Sequence, residues 1–210
     1  QTAGDWCSLV HYDRDGLDRI IATSIYHEQN IGYAQCLDWV KSAPAKQKNE
    51  LLYCLLGDLD AHTIPSRELE TLTFTFDLMM DQGAYFEVKR HRMMTQIPQH
   101  LTTHLGYAIP KLIVDADMLL PYTSAMENAK KAFEVLAVVN PNLAAYVVPN
   151  GFNRRVLLTL NLRSAIHFIR LRSAPNAHFS VRRVAQRMAE DIIAVMPGLI
   201  AFLGKNEAET

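Results

Sequence analysis

Two groups of cationic side chains have the types and spacing to bind an anion. The first is Arg90-His91-Arg92, which places two guanidiniums around an imidazole. The second is the interval 135–189, which carries eight arginines but no lysine, aspartate or glutamate. A guanidinium holds carboxylate or phosphate through a planar fork of donors, which lysine lacks. The pattern therefore predicts an anion-binding face. The alternative is a solvated helix face, or arginines paired with carboxylates from residues 1–134 or from another subunit.

The net charge of the chain is close to zero, but the basic and acidic residues are unevenly distributed along its length. The 210 residues carry 21 basic and 22 acidic side chains, a net charge of −1. Residues 1–134 have 12 basic and 18 acidic side chains, whereas residues 135–210 have 9 and 4. No global charge draws the chain to a polyanion, and the arginine-rich interval offers few aromatic rings for stacking bases. We expect a small anion as ligand, and no nucleic acid polymer.

The glycines exclude two common ways of holding a phosphate. The closest pair is Gly198 and Gly204, so neither GxGxxG nor GxxxxGK[ST] can be written anywhere in the chain. Both motifs need clustered glycines so that the backbone can approach the phosphate. A phosphate bound by this chain must be held by side chains or helix N-termini. The arginines are therefore the candidate phosphate ligands.

The cysteine, histidine and hydropathy patterns argue against a disulfide framework, a metal site and a membrane-spanning helix. Cys7, Cys36 and Cys54 show no CxxC spacing, which argues against a disulfide framework or a cysteine zinc site. His100 and His104 are four residues apart but lie close to Pro98, and we expect no metal site there. Eighteen consecutive apolar residues do not occur. A cytoplasmic protein without a membrane partner is the expectation.

The elements that position these groups follow from hydrophobic periodicity. The alternation over Leu72–Asp77 predicts a half-buried strand, and Ile113–Asp115 a second, short one. Apolar residues at intervals of three to four predict helices over 17–40, 46–58, 80–93, 123–139, 154–172 and 177–196. With 49% apolar and 20% charged residues, the composition is that of a globular protein. We predict one domain spanning 1–210, alone or within a longer chain.

Several motifs, in order, resemble the flavin-dependent thymidylate synthases, whose signature runs RHRxxS, then Asn-Glu, then SxRY. The match begins with an approach segment, continues with the RHR triplet, and ends with a pattern of the form LP…NxR…LR. Its elements are Asp60–Pro65, Glu68, Phe74-Thr75-Phe76, Arg90-His91-Arg92, Pro149, Asn161-Leu162-Arg163 and Leu171-Arg172. Separate matches in the right order are more specific than any one of them.

The resemblance implies an α+β fold with a mixed or antiparallel sheet flanked by helices and a helical C-terminal half. It also implies a homotetramer with FAD held between subunits. The family transfers a methylene group from methylenetetrahydrofolate to dUMP, with flavin reduced by NADPH as hydride donor. By position, the flavin contacts would be His62, Arg90, His91, Arg92, Asn161, Arg163 and His167. Arg90 and Arg172 would bind the nucleotide, with Arg172 on its phosphate.

The chain departs from the family signature at several positions. Thr95 replaces the serine after RHR, and the Asn-Glu pair falls on Ile97-Pro98. Two phosphate-binding arginines fall on Thr102 and Ala145. Each lost charge-assisted bond is worth about 1.5–3 kcal/mol.

Three hypotheses therefore stand. The first is a family enzyme that methylates dUMP or a related nucleotide. The second is a divergent, inactive homologue that retains a flavin- or anion-binding or assembly role. The third is a binder of phosphorylated ligands unrelated to the family, which needs only the arginine-rich interval.

Overall fold

A four-stranded antiparallel sheet organises the molecule. The computed structural model describes residues 5–57 and 64–203. In these ranges the strands run in the order β1-β2-β4-β3, and every neighbouring pair is antiparallel. Their bounds are β1 Cys7–Tyr12, β2 Thr73–Asp81, β3 Thr95–Pro98 and β4 Asn153–Asn161. The predicted α+β class, with helices flanking the sheet, is confirmed; the sheet is antiparallel rather than mixed.

Helices supply most of the remaining structure. The α-helices are α1 Gly16–Glu28, α2 Tyr33–Ser42, α3 Ala45–Leu56, α4 Gln82–Val88, α5 Lys111–Asp115, α6 Leu119–Val139, α7 Pro141–Ala144, α8 Leu162–Arg172, α9 Phe179–Val195 and α10 Ile200–Leu203. Short 3₁₀ turns occupy Arg67–Thr71, Ala145–Val147 and Pro197–Leu199. In the two described ranges no helix combines the length and apolarity needed to cross a bilayer.

The central strands alternate between a buried and a half-buried face. On β2 the buried side chains are Phe74, Phe76, Leu78 and Met80, and on β4 they are Val156, Leu158 and Leu160. The two strands pair along their full length, from Thr73 opposite Asn161 to Asp81 opposite Asn153. Together with α4, α8 and α9, their buried face forms the largest hydrophobic cluster. This packing holds α8 and α4 against one side of the sheet.

Four of the element predictions need correction. The helix predicted over 154–172 is wrong in its first half, because the period-two alternation of Val156, Leu158 and Leu160 pairs with β2 as β4. The predicted 113–115 strand is the helix α5; an apolar run this short does not distinguish the two states by periodicity. The helix expected over 17–40 is interrupted between α1 and α2, where Gly32 provides an extended N-cap.

The fourth correction concerns the residues before Arg90. The predicted 80–93 helix is shorter, because β2 continues to Asp81 and α4 ends at Val88. The Asp81 carboxylate accepts a hydrogen bond from the backbone N–H of Ala84 at 2.8 Å and caps the start of α4. The Arg90-His91-Arg92 triplet therefore lies in the turn that follows α4.

A second, smaller cluster forms around α6. It contains Met126, Phe133, Ala144, Val148 and Phe152. The loop over 99–110 reaches it through Tyr107, whose ring lies 5.3 Å from that of Phe152. Gly106 turns this loop with φ of 70°, a left-handed conformation that glycine adopts without strain.

Candidate functional site

The segment 87–93 runs antiparallel along one side of α8. At one end, the Ser164 hydroxyl donates to the carbonyl of Met93 at 3.0 Å. In the middle, the ring of His91 lies 4.9 Å from that of Phe168 and 5.8 Å from that of His167. At the other end, Arg172 contacts both His91 and Glu87. Ser164, Phe168 and Arg172 recur every four residues, which places them on one stripe of a helix.

Arg172 has most of its hydrogen-bonding capacity engaged within the protein. Its Nε donates to Nε2 of His91 at 2.9 Å, and its Nη1 donates to Oε2 of Glu87 at 2.9 Å. Nη2 donates to the carbonyl of Glu87 at 3.3 Å. The side chain is only 16% exposed. Arg172 therefore joins α8, α4 and the triplet into one unit.

Glu87 is the carboxylate on which two candidate ligand-binding arginines meet. While its Oε2 accepts from Arg172, its Oε1 lies 3.2 Å from Nη1 of Arg90. Arg90 is 68% exposed, so its contribution to this pair is modest. The two guanidiniums that sequence reasoning assigned to the nucleotide share one protein carboxylate.

His91 is held as a neutral imidazole. Burial is the main cause that lowers its pKa to about 4, and the positive charge of Arg172 lowers it further. Because Nε2 accepts a hydrogen bond from Arg172, the ring hydrogen belongs on Nδ1. The backbone here is fixed by Gln96, whose Nε2 donates to the carbonyls of Val88 and His91 at 3.3 and 3.0 Å.

Asn161 and Arg163 lie at the opposite end of α8 from Arg172. The Asn161 side-chain oxygen accepts from the backbone N–H of Ser164 at 2.8 Å and caps the helix. Arg163 donates to Oε1 of Glu70 at 2.6 Å and to the carbonyl of Pro65 at 2.9 Å. Its guanidinium is thus directed toward the segment before β2 rather than toward the triplet.

The remaining predicted site residues are exposed or lie outside the described part of the chain. Arg92 and His167 are exposed. Arg92 has no carboxylate partner in the parts of the chain that the structure describes. His62 lies outside the described residues. The structure therefore brings together Arg90, His91, His167 and Arg172, and leaves Asn161 and Arg163 at the far end of the same helix.

Several arginines of the acid-free interval pair with carboxylates of the first 134 residues, as the alternative interpretation proposed. The pairs are Arg155 with Asp77, Arg163 with Glu70, Arg172 with Glu87 and Arg187 with Asp5. Arg154 differs, because it donates to Oε1 of Gln82 and the carbonyl of Gln99 and stacks over Tyr85 at 4.7 Å. Much of the arginine excess thus balances the acidic first part of the chain.

The positions that depart from the family signature lie on an edge strand and in loops, except Ala145, which begins a 3₁₀ turn. Ile97 and Pro98 end β3 opposite Leu157 and Val156, and Ile97 is largely exposed. The Thr102 hydroxyl accepts from the backbone N–H of His104 at 3.3 Å. His100 and His104 lie in a loop, so the helical spacing that could join them at a metal does not exist.

Sequence reasoning missed three residues that organise the site. Glu87 pairs with both Arg90 and Arg172, Gln96 fixes the triplet backbone, and Ser164 ties α8 to Met93. The signal for Glu87 was present, because a glutamate three residues before Arg90 on a helix can pair with it. No local signal points to Gln96 or Ser164, whose partners are set by the packing of separate elements.

The chain belongs to the thymidylate synthase complementing protein family, Thy1, whose profile matches residues 9–198. A UPF0159 protein of Chlamydia muridarum is 38% identical over 197 residues, covering 93% of this chain and 37% of that protein. A flavin-dependent thymidylate synthase of Sulfolobus acidocaldarius is 35% identical, with 94% and 76% of the two chains covered. The predicted resemblance is confirmed, and the hypothesis of an unrelated phosphate binder is wrong.

A solved structure shares the fold. The UMP/dUMP methylase PolB from Streptomyces cacaoi, bound with 5-Br dUMP, superposes with a TM-score of 0.72 over 94% of this chain and 95% of its own. At 16% identity, this likeness concerns the fold alone. The chain spans about a third of the length of the UPF0159 relatives it matches, 37% of one and 36% of another.

Proposed function

We propose that this chain is a flavin-dependent thymidylate synthase-like unit that methylates the uracil of dUMP or a related nucleotide. The observation that carries the proposal is the antiparallel run of 87–93 along α8, which brings Arg90, His91 and Arg172 into one contact network. A family resemblance in sequence alone does not require these segments to touch. Their contact supports a shared ligand site.

The residues of the site fit FAD through exposed hydrogen-bond donors. Arg92 offers a guanidinium without a carboxylate partner in the described ranges, and His167 presents its imidazole to solvent beside His91. Arg90 adds a third exposed donor. Asn161 and Arg163, at the far end of α8, and His62 are further candidates that the family resemblance supplies, although the Arg163 guanidinium already donates to Glu70. When bound and reduced by NADPH, FAD supplies the hydride that converts the transferred methylene into a methyl group.

The chain's own groups would orient the nucleotide and keep the site electrostatically fixed. Neutral His91 adds no repulsion to the neighbouring guanidiniums, so Arg172 stays in place beside it. Arg90 extends from the turn into solvent and can reach a ligand. The one-carbon group would come from methylenetetrahydrofolate. The name of the Sulfolobus relative and the dUMP analogue bound to the Streptomyces methylase support these assignments.

We also propose that the chain acts as one domain that assembles into a homotetramer. The support is the surface of α6, where Leu120, Val135, Val138 and Val139 are mostly exposed. Apolar patches of this kind mark interaction surfaces.

The test is direct observation of flavin and of product. The protein purified from cells is expected to show flavin absorbance or to bind added FAD, and Arg92→Ala is expected to weaken that binding more than Arg14→Ala, which removes an arginine outside the site. With methylenetetrahydrofolate and NADPH, dUMP is expected to yield dTMP. Absence of flavin binding and of dTMP under all these conditions contradicts the proposal.

A second candidate is a divergent homologue that retains the fold and a flavin- or anion-binding role without thymidylate synthesis. The observation in its favour is that Ile97, Pro98, Thr102 and Ala145 leave the expected nucleotide positions without charged groups. Flavin binding without dUMP-dependent NADPH oxidation would support this candidate. Appreciable formation of dTMP would rule it out.

A further inference from the structure

We propose that Arg154 is the centre of an anion site that takes the phosphate group of a small ligand. Its guanidinium is fixed by neutral partners in a half-buried position that reaches the surface on one side. The proposal goes beyond the proposed function and does not depend on it. A nucleotide and free phosphate both present this chemical group, and titration of each distinguishes the two sources.

Three neutral groups hold the Arg154 guanidinium. Its Nη1 donates to Oε1 of Gln82 at 2.8 Å, and its Nη2 donates to the carbonyl of Gln99 at 2.6 Å. The guanidinium carbon lies 4.7 Å from the centroid of the Tyr85 ring. Gln82 and Tyr85 are themselves buried, with 7% and 8% of their surface exposed. These contacts fix the cation in position, but none of them neutralises its charge.

Arg154 keeps N–H groups for a further acceptor. A guanidinium has five N–H donors, and two of them serve Gln82 and Gln99. The Nε atom is buried without a hydrogen-bond partner, so it does not face a ligand in solvent. One N–H remains on each Nη, and the bond from Nη2 to Gln99 lies at the surface. Such a planar set of donors suits the oxygens of a phosphate group.

Arg154 lacks the carboxylate that several half-buried arginines of this chain have. The paired arginines are Arg155, Arg163, Arg172 and Arg187. In the parts of the chain that the structure describes, no carboxylate lies within ion-pair distance of Arg154. Burial lowers the pKa of Arg154, which reflects the cost of keeping its charge partly out of water. A bound anion would offset that cost.

The charged groups around Arg154 leave an excess of positive charge. Residues 77–93 and 153–155, which include α4, its following turn and the start of β4, carry five lysines or arginines and three carboxylates. The cations are Lys89, Arg90, Arg92, Arg154 and Arg155, and the carboxylates are Asp77, Asp81 and Glu87. Each carboxylate is already engaged, by Arg155, by the N–H of Ala84, and by Arg90 with Arg172, respectively. An anion is therefore favoured at Arg154.

The first experiment replaces a neutral partner of Arg154 by a carboxylate. Gln82→Glu keeps the shape and the acceptor of the side chain but places a negative charge beside Nη1. We expect calorimetric titration with inorganic phosphate, at constant ionic strength, to show binding about tenfold or more weaker than in the wild-type chain. Gln186→Glu adds the same charge at an exposed position of α9 and should match the wild type.

Two results of this titration overturn the proposal. One is equal phosphate affinity in the wild type and folded Gln82→Glu. The other is a wild-type chain that does not bind phosphate. A purely structural role of Arg154 would leave the affinity unchanged, because glutamate at position 82 still accepts the hydrogen bond from Nη1.

The second experiment removes the guanidinium itself. Arg154→Gln should lose phosphate affinity to a similar extent, whereas Arg155→Gln should stay within about threefold of the wild type. Arg155 is the matched control because it lies on the other face of β4 and already pairs with Asp77. Circular dichroism and urea unfolding establish that each variant is folded. If Arg154→Gln does not fold, Gln82→Glu decides. A folded Arg154→Gln with wild-type phosphate affinity shows that the anion binds elsewhere and the proposal is wrong.

The third experiment identifies the source of the phosphate group with dUMP and deoxyuridine. If a nucleotide supplies it, Gln82→Glu should weaken dUMP about tenfold or more and leave deoxyuridine unchanged. Equal dUMP affinity in the two proteins, together with weakened inorganic phosphate, assigns the site to free phosphate. A chain that binds neither dUMP nor deoxyuridine contradicts the proposed function instead, and the titration with inorganic phosphate then decides the role of Arg154.

Discussion

The fold changes the pKa of His91, a property that the sequence alone does not predict. Burial and the guanidinium of Arg172 lower its pKa to about 4, so the imidazole is neutral at physiological pH. A neutral ring can accept from Arg172 at Nε2, whereas an imidazolium cannot. Protonation of this ring would remove one of the three hydrogen bonds that hold Arg172.

This shift predicts a pH dependence of stability. Because the folded-state pKa of about 4 lies below the unfolded value of about 6.5, the unfolded chain binds more protons between these limits. The free energy of unfolding should therefore rise as pH increases from about 4 to 6.5. We expect this contribution to be about 1–2 kcal/mol, because solvent screens part of the charge.

The measurement is urea unfolding at several pH values for wild type, His91→Gln and His100→Gln. The wild type should gain stability relative to His91→Gln across the window, and His100→Gln, in which an exposed histidine is replaced, should follow the wild type. A His91→Gln protein with the same pH dependence as the wild type would show that another group is responsible.

At the scale of elements, α8 is the helix on which the site depends. Ile166, Phe168 and Ile169 belong to the main core. The stripe with Ser164, Phe168 and Arg172 also receives the 87–93 segment. A shift in where α8 begins would move this stripe relative to His91. The start of the helix therefore matters for the site as well as for stability.

Asn161 sets that start, and its replacement has a predictable effect. Asn161→Ala removes the acceptor for the Ser164 N–H and should cost about 1 kcal/mol of stability. Asn161→Asp retains the acceptor and adds a negative charge at the helix N-terminus, so its stability should be close to that of the wild type. Urea midpoints compare the three proteins. An equal loss in both variants would show that the amide N–H₂ of Asn161, not its oxygen, is the stabilising group.

At the scale of the molecule, two differently packed regions meet just before β4, where Phe152 belongs to the second cluster. The main cluster lies between the sheet and α4, α8 and α9, whereas α6 buries only Met126 and Phe133 within its own chain. Much of the remaining apolar surface of α6 faces solvent, with Val138 at 88% and Val139 at 81% exposed. A helix with this distribution is stabilised further when another surface covers it.

The proposed homotetramer predicts that α6 is covered by another copy of the chain. Val138→Asp places a charge on that surface and should reduce the assembly to smaller species, while leaving the isolated fold intact because the position is exposed. Tyr53→Asp, at an exposed aromatic of α3, is the control and should leave assembly unchanged. Light scattering after size-exclusion chromatography measures both. A chain that is monomeric before substitution would contradict the assembly.

The sequence by itself determined the elements and motifs that depend only on residues close together in the chain. The 123–139 and 177–196 helices and the Phe74-Thr75-Phe76 strand followed from periodicity, and the ordered motifs identified the family. β4 was not predicted, because Leu157 interrupts the alternation of Val156, Leu158 and Leu160, and the segment fits either period until β2 pairs with it. Pairing energy comes from a partner more than 70 residues away, which no local window contains.

The tertiary structure alone decided which charges meet. Arg90 and Arg172 come from two distant stretches of the sequence, and we predicted that both would contact one anion. That this anion is the carboxylate of Glu87 depends on α8 lying antiparallel to residues 87–93. A direct ion pair forms only between charged atoms a few ångströms apart, so packing decides which of the possible partners meet.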